Sequence, residues 1–134
     1  MLLATALSAV VSASAALASG VSYSGNWPLT VTHSIRSNGA YCLTVTDDGS
    51  LGWPHSGEAS LTSQVSGNLP YGTFQLIDHT IMVTMDQQGE TQNAGLVFNA
   101  PASNGNIGKG VYEQVYGGEE TDSGEVVFGK KGGC

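Results

Sequence analysis

After residue 24 apolar side chains recur at every second position in short runs, and the runs end in turns rich in Gly, Asn and Asp. That is the period of antiparallel strands laid over a core. Trp27 to His33 sets Leu29, Val31 and His33 on one face. Tyr41 to Thr46 sets Tyr41, Leu43 and Val45 against Cys42, Thr44 and Thr46. Asp47-Asp48-Gly49-Ser50 follows as a hairpin signal, because its glycine accepts positive φ, and Gly52-Trp53-Pro54-His55 reads as a loop that exposes an aromatic. Further runs are Glu58 to Val65, Tyr71 to Ile77, Thr80 to Asp86 and Ala94 to Asn99, divided by Gly67-Asn68-Leu69-Pro70, Asp78-His79 and Gln87-Gln88-Gly89-Glu90. Ala100 to Asn106 reads as a longer connection, since proline and glycine work against ladder pairing. Ile107 to Tyr116 is the seventh run and Glu125 to Lys130 the eighth, with an acidic loop from Gly117 to Gly124 between them.

No helix-length amphipathic pattern interrupts this series, so the fold class is all-β. Eight runs joined mostly by short loops form a meander, and an open meander leaves two unpaired edges. Closure into an eight-stranded antiparallel up-and-down β-barrel removes both, and a β-sandwich is the alternative. A membrane-spanning barrel needs a nearly continuous apolar outer row, whereas the second face here carries Thr, Ser, Gln, Glu and Asn. No membrane insertion is expected.

Composition narrows the setting. Residues 2 to 18 are uncharged, Ala- and Ser-rich, and end in Ala16-Leu17-Ala18. Small residues closing a short apolar stretch are what signal peptidase accepts, which predicts a signal peptide over 1–18 and one barrel domain over 19–134. The absence of an opening Lys or Arg departs from the usual signal and places the true start upstream as one alternative. The protein is therefore expected to be secreted or periplasmic. Four basic against eleven acidic residues give a formal charge of -7. Such a surface repels polyanions, so nucleic acid is not an expected partner. Two cysteines, Cys42 and Cys134, are expected to be oxidised outside the cell, most simply as one intramolecular bridge. An intermolecular bridge through the Gly132-Gly133-Cys134 tail and a free thiol are the alternatives.

Candidate chemistry is sparse. His33, His55 and His79 are the only histidines; none has metal-ligand spacing to another, and no cofactor is implied. Serines form no Gly-x-Ser-x-Gly turn and no glycine-rich phosphate loop is present. Asp47-Asp48 reads as a turn, and Glu119, Glu120, Asp122 and Glu125 as a solvated acidic loop in preference to a calcium site. Two features point to binding. Trp53 has no strand face on which to hide, and so caps a pocket, meets a partner or folds back on the core. Tyr112, Gln114 and Tyr116 share one strand face, and aromatic plus amide groups facing a lumen suit a planar ligand or a sugar. Trp53, Tyr71, Tyr112, Gln114 and Tyr116 are the candidate ligand-binding residues.

Gly25-Asn26-Trp27 opens the first run and Lys130-Lys131 closes the last. This resembles the Gly-x-Trp signature of the calycin superfamily, which includes lipocalins, fatty-acid-binding proteins and avidins. The resemblance implies a barrel plugged at one end by Trp27 beneath a basic residue of the final strand, here Lys130, with the indole face covered by a cation. The chain departs from lipocalins in lacking a segment for a C-terminal helix, and from avidins in having only Trp27 and Trp53 as tryptophans. Small periplasmic metalloprotease inhibitors share this barrel, so the resemblance also admits a protein partner.

The expectation is a non-enzymatic exported protein holding a small ligand in the open end of a barrel. A protein-interaction barrel, either an inhibitor or a self-assembling subunit and hence an oligomer, is the second reading. A barrel enzyme using His33 or His79 with a carboxylate is the third. A lumen lined by Tyr or Trp with room for a ligand supports the first, and a lumen filled by Leu, Val, Ile, Met and Phe removes it. An exposed apolar loop patch supports the second. A histidine and carboxylate sharing one cavity support the third.

Overall fold

The computed structural model describes residues 21–63, 71–86, 94–116 and 119–134. The predicted leader, and the turns at 67–70 and 87–90, lie outside the described residues. Among the described residues nine strands form in chain order: β1 Gly25–Thr32, β2 Gly39–Val45, β3 Ser56–Ser63, β4 Tyr71–Ile77, β5 Thr80–Asp86, β6 Ala94–Ser103, β7 Asn106–Ile107, β8 Gly110–Tyr116 and β9 Glu119–Phe128. Eight run antiparallel in the order β5-β4-β3-β2-β1-β9-β8-β6, and β5 pairs with β6 to close the ring; β7 is a short addition to β6. The protein is a closed eight-stranded antiparallel β-barrel with one extra strand.

Alternation fixes which face points in. Leu29 and Val31 from β1, Leu43 and Val45 from β2, Phe74 from β4, Ile81, Val83 and Met85 from β5, Phe98 from β6, Tyr112 from β8 and Val126 from β9 all fill the lumen. The barrel interior is therefore a packed core, as expected of eight strands, whose lumen is just wide enough for side chains to meet. Gly72 and Gly110 mark where the wall bends: a Cβ at either would collide with the carbonyl oxygen of Thr84 or Asn99.

Most strand ends shift by a residue or two from the sequence reading, the seventh run is split at Gly108-Lys109 into β7 and β8, and three further readings are corrected. Ala100 to Asn106 is not a loop: β6 continues through Ser103, and Asn104-Gly105, both at positive φ, turn it into β7. Pro101 is accommodated because the ladder asks only for its carbonyl, which accepts the Gly108 amide at 2.7 Å. The acidic stretch is not a loop either. β9 begins at Glu119, with a bulge opposite Gln114 and Val115 that leaves Thr121 unpaired in the ladder, and Asp122 lies on the interior face in phase with Val126 and Phe128. His33 leaves the strand at positive φ (59°) and is exposed, so it does not share the inner face of Leu29 and Val31.

Candidate functional site

One end of the barrel gathers residues 21–24, the β2–β3 loop, the β4–β5 turn and the C-terminal tail. Trp27 is buried there, its indole N–H donating to the Tyr23 carbonyl at 2.9 Å. Tyr23 stacks on it with ring centroids 6.3 Å apart. The cation over the indole is Lys131, 6.0 Å from the ring centroid, with its ammonium also donating to the Ser22 carbonyl. Lys130, one residue earlier, does not take that place; it lies on the rim of a hollow of about 470 Å³ that Trp27, Ile107 and Phe128 also line. The shift follows from β9 ending at Phe128, after which the tail crosses β1. There Gly129 and Gly132 donate backbone bonds to Pro28 and Asn26, and Cys134 reaches Cys42 in a disulfide with the Cα atoms 5.9 Å apart. The tail is thus strapped across the outside of β1.

The β2–β3 loop at this end is cross-braced. Asp47 follows Val45 in phase with the inner row, and its side chain is 3 % exposed. It accepts the Tyr23 amide at 2.9 Å and faces His55 Nδ1 at 2.8 Å, while its own amide donates to Ser24 Oγ. Ser56, 0 % exposed, donates to the Trp53 carbonyl and accepts the Leu51 amide, and its carbonyl takes the amides of Asp48 and Gly49. The Asp48 carboxylate caps the Ser50 amide, and hydrogen bonding from the Ser50 side chain first and its amide second holds it below the ordinary carboxylate range. On this frame Trp53 stands 45 % exposed, with Leu51 and Pro54 also exposed beside it in sequence. It does not fold back onto the core.

The other end is organised by Asp122, 3 % exposed. Its carboxylate accepts the Ser34 hydroxyl at 2.5 Å, the Ile35 amide at 2.9 Å, the Arg36 amide at 3.2 Å and the Ser123 amide at 2.9 Å. Burial alone would raise its pKa, but the Ser34 hydroxyl and the three amides outweigh burial and hold it below the usual value. The β1–β2 loop is thereby clamped over this end, and Ser37 within it meets the Tyr112 hydroxyl at 2.8 Å and accepts from Tyr41 at its carbonyl. Tyr112 is packed against Phe98 with centroids 5.6 Å apart, and its hydroxyl also approaches Gln114 Oε1 at 3.3 Å. Burial raises the pKa of both Tyr41 and Tyr112.

The five candidate binding residues are therefore dispersed. Tyr112 and Gln114 sit on the inner side of β8, Trp53 on the loop at the opposite end, and Tyr71 is 53 % exposed on the outer wall of β4. The Tyr116 side chain lies outside the described residues. Among the described residues, no hollow joins His33 or His79 to a carboxylate. His33 contacts Glu125 on the surface at 3.0 Å, beside Lys109, whose hydrogen bond lowers the Glu125 pKa. His79 sits at positive φ in the β4–β5 turn. The histidine that does meet a buried carboxylate is His55, and none of the described hollows is lined by it or by Asp47. Among the described residues no three His, Cys, Asp or Glu side chains are placed to hold a metal ion.

Asp47, Ser56 and Asp122 were missed as organising residues, although two were in reach: alternation carried on from Leu43 and Val45 puts Asp47 inside, and counted back from Phe128 and Val126 it puts Asp122 inside. No protein-family model, curated protein or solved structure matches this chain.

Proposed function

We propose that this chain is an exported protein-binding domain on a calycin-like barrel, which presents Trp53 on the β2–β3 loop to an extracellular protein. The observation that carries the reading is a large aromatic left 45 % exposed on a loop whose neighbours are tied down by Asp47 and Ser56. A rigid exposed tryptophan costs little further ordering entropy when a partner covers it, which is the property of an interface anchor. The filled lumen leaves little depth for the first expectation, a small ligand held in the open end of the barrel, and so favours the protein-partner reading. The plug at Trp27 under Lys131 supports the calycin-like assignment, and the Cys42–Cys134 disulfide supports export.

The test uses the protein's own optics. Trp27 is buried and Trp53 is the only other tryptophan, so collisional quenching and an emission blue shift report on Trp53. Immobilised protein is exposed to the fluid into which its source secretes it, and saturably retained species are titrated back. The reading expects a partner that blue-shifts emission and binds Trp53→Ala at least ~10-fold more weakly, since anchor aromatics are worth about 2 kcal/mol or more. Retention unchanged by W53A contradicts it.

A second reading keeps a small ligand, seated shallowly at the Asp122 end. It rests on the convergence of Tyr41, Ser37, Tyr112 and Gln114 polar groups above the apolar core. Native mass spectrometry of source-purified protein tests it: an adduct that Tyr112→Phe weakens favours a ligand, and a bare mass opposes one.

A further inference from the structure

The outer wall over β3, β4 and β5 carries a groove that neither reading uses. Register places Thr44, Ser60, Tyr71 and Asp86 directly across from one another in one lateral row, because Thr44 pairs with Ser60, Ser60 with Tyr71, and Tyr71 with Asp86. Glu58 and Thr73 pair in the neighbouring row, two residues along each strand and so on the same outer face. The relief is set by side-chain size. Ser60 and the threonines are short, whereas Tyr71, Glu58 and Asp86 stand up around them, and the space enclosed is about 450 Å³. That is within the size range of small-molecule sites.

The chemistry of the lining is specific. Tyr71 presents an open ring, 53 % exposed. Within reach on either side are carboxylates that form no ion pair among the described residues, and the floor between them is hydroxyl-bearing. Carboxylates accept only, and hydroxyls both donate and accept. A ligand matching this surface needs one flat C–H face for the ring and an edge crowded with hydroxyl groups that donate and accept at once. It is not an anion, because a formal charge of -7 and two local carboxylates disfavour one, and a neutral polyol meets those carboxylates through its hydroxyl donors.

We propose that this groove is a carbohydrate-binding site for neutral pyranose chains, with Tyr71 as the stacking platform and Glu58 and Asp86 as acceptors for sugar hydroxyls. The site lies on the barrel wall, where Thr46 at the start of the β2–β3 loop lines it but Trp53 does not, and it stands or falls independently of the protein-partner reading.

The experiment is a titration of the isotopically labelled protein with cellohexaose, chitohexaose and maltohexaose, followed by amide shifts in two-dimensional NMR. At least one oligosaccharide is expected to bind saturably, shifting the amides of Ser60, Tyr71 and Asp86 and leaving Trp53 still. Tyr71→Ala is expected to weaken that binding at least ~10-fold, Tyr71→Phe to change it less than ~3-fold, and Glu58→Gln with Asp86→Asn to weaken it between those limits, following loss of aromatic area and of charge-assisted hydrogen bonds. Because Tyr71 is exposed, an unchanged thermal midpoint for each variant certifies the fold. The proposal is overturned if none of the three oligosaccharides shifts these amides, or if Y71A binds as well as wild type.

Discussion

The two ends of the barrel each hold a nearly buried aspartate, and they satisfy it differently. Asp122 meets one hydroxyl and three backbone amides, and these bonds fold the β1–β2 loop down over the core. Asp47 meets one amide and one imidazole, in a segment also braced by Ser56, and its loop is held outward with an aromatic in solvent. One carboxylate closes an end, and the other presents a side chain. A buried charge is tolerated only when its lone pairs are met, so each aspartate dictates the path of the loop that supplies its donors. The plugged end has two further ties, the Lys131 contact to Trp27 and the disulfide strap, which the clamped end lacks among the described residues.

The largest expected effect separates the ends through the strap. Reducing the disulfide, or Cys134→Ser, releases a loop with a sequence separation of 92 residues. In the chain-entropy model this costs about 4 to 5 kcal/mol in urea unfolding. Hydrogen exchange should accelerate first at Gly129 and Gly132, while the Ile35 and Arg36 amides keep their protection longer. Equal loss at both ends would erase the contrast drawn here.

Next in size are the aspartates themselves. Asp122→Ala strands four donors and is expected to cost about 3 kcal/mol, whereas Asp47→Ala strands two and is expected to cost about 2 kcal/mol. Chemical denaturation of both variants checks the order, and D47A as the more damaging change would reverse the account of which end depends more on its carboxylate.

pH sharpens the same contrast. The Asp122 pKa is lowered in the folded protein, so its contribution is fully present above the unfolded carboxyl value, about 4, and is lost as pH falls through the folded value. The stability difference between wild type and Asp122→Ala should be flat through neutral pH and shrink in acid. A difference that grows in acid contradicts the hydrogen-bond account.

Trp53→Ala is the smallest of the stability effects. A loop side chain 45 % exposed and outside the core cluster should change unfolding free energy by less than about 0.5 kcal/mol, and a loss several times larger would mean that the indole packs on the fold.

Much of the barrel was legible in the chain. β4 and β5 have the boundaries that alternation alone assigns, and Asp78-His79, without a glycine, still makes the turn between them with both residues at positive φ. The errors came where one residue type was read without its phase. Pro101 reads as the end of a strand, yet it falls where only a carbonyl is needed. Charge in 119–124 reads as solvent-seeking, yet period two counted from Phe128 sends Asp122 inward. The dispersal of the candidate site was not legible, because it depends on which strands become neighbours on closure and on the stagger between them. Glycine-x-tryptophan located the plug, but whether Lys130 or Lys131 covered it depended on where β9 stopped.

The central claim is that Trp53 is exposed and rigid at once, and backbone ¹⁵N relaxation of the free protein measures it directly. The account predicts order parameters for residues 48–55 near those of β2 and β3, about 0.85. Values below about 0.6 across Leu51 to Pro54 would mean a loosely held loop, and would contradict a preformed anchor.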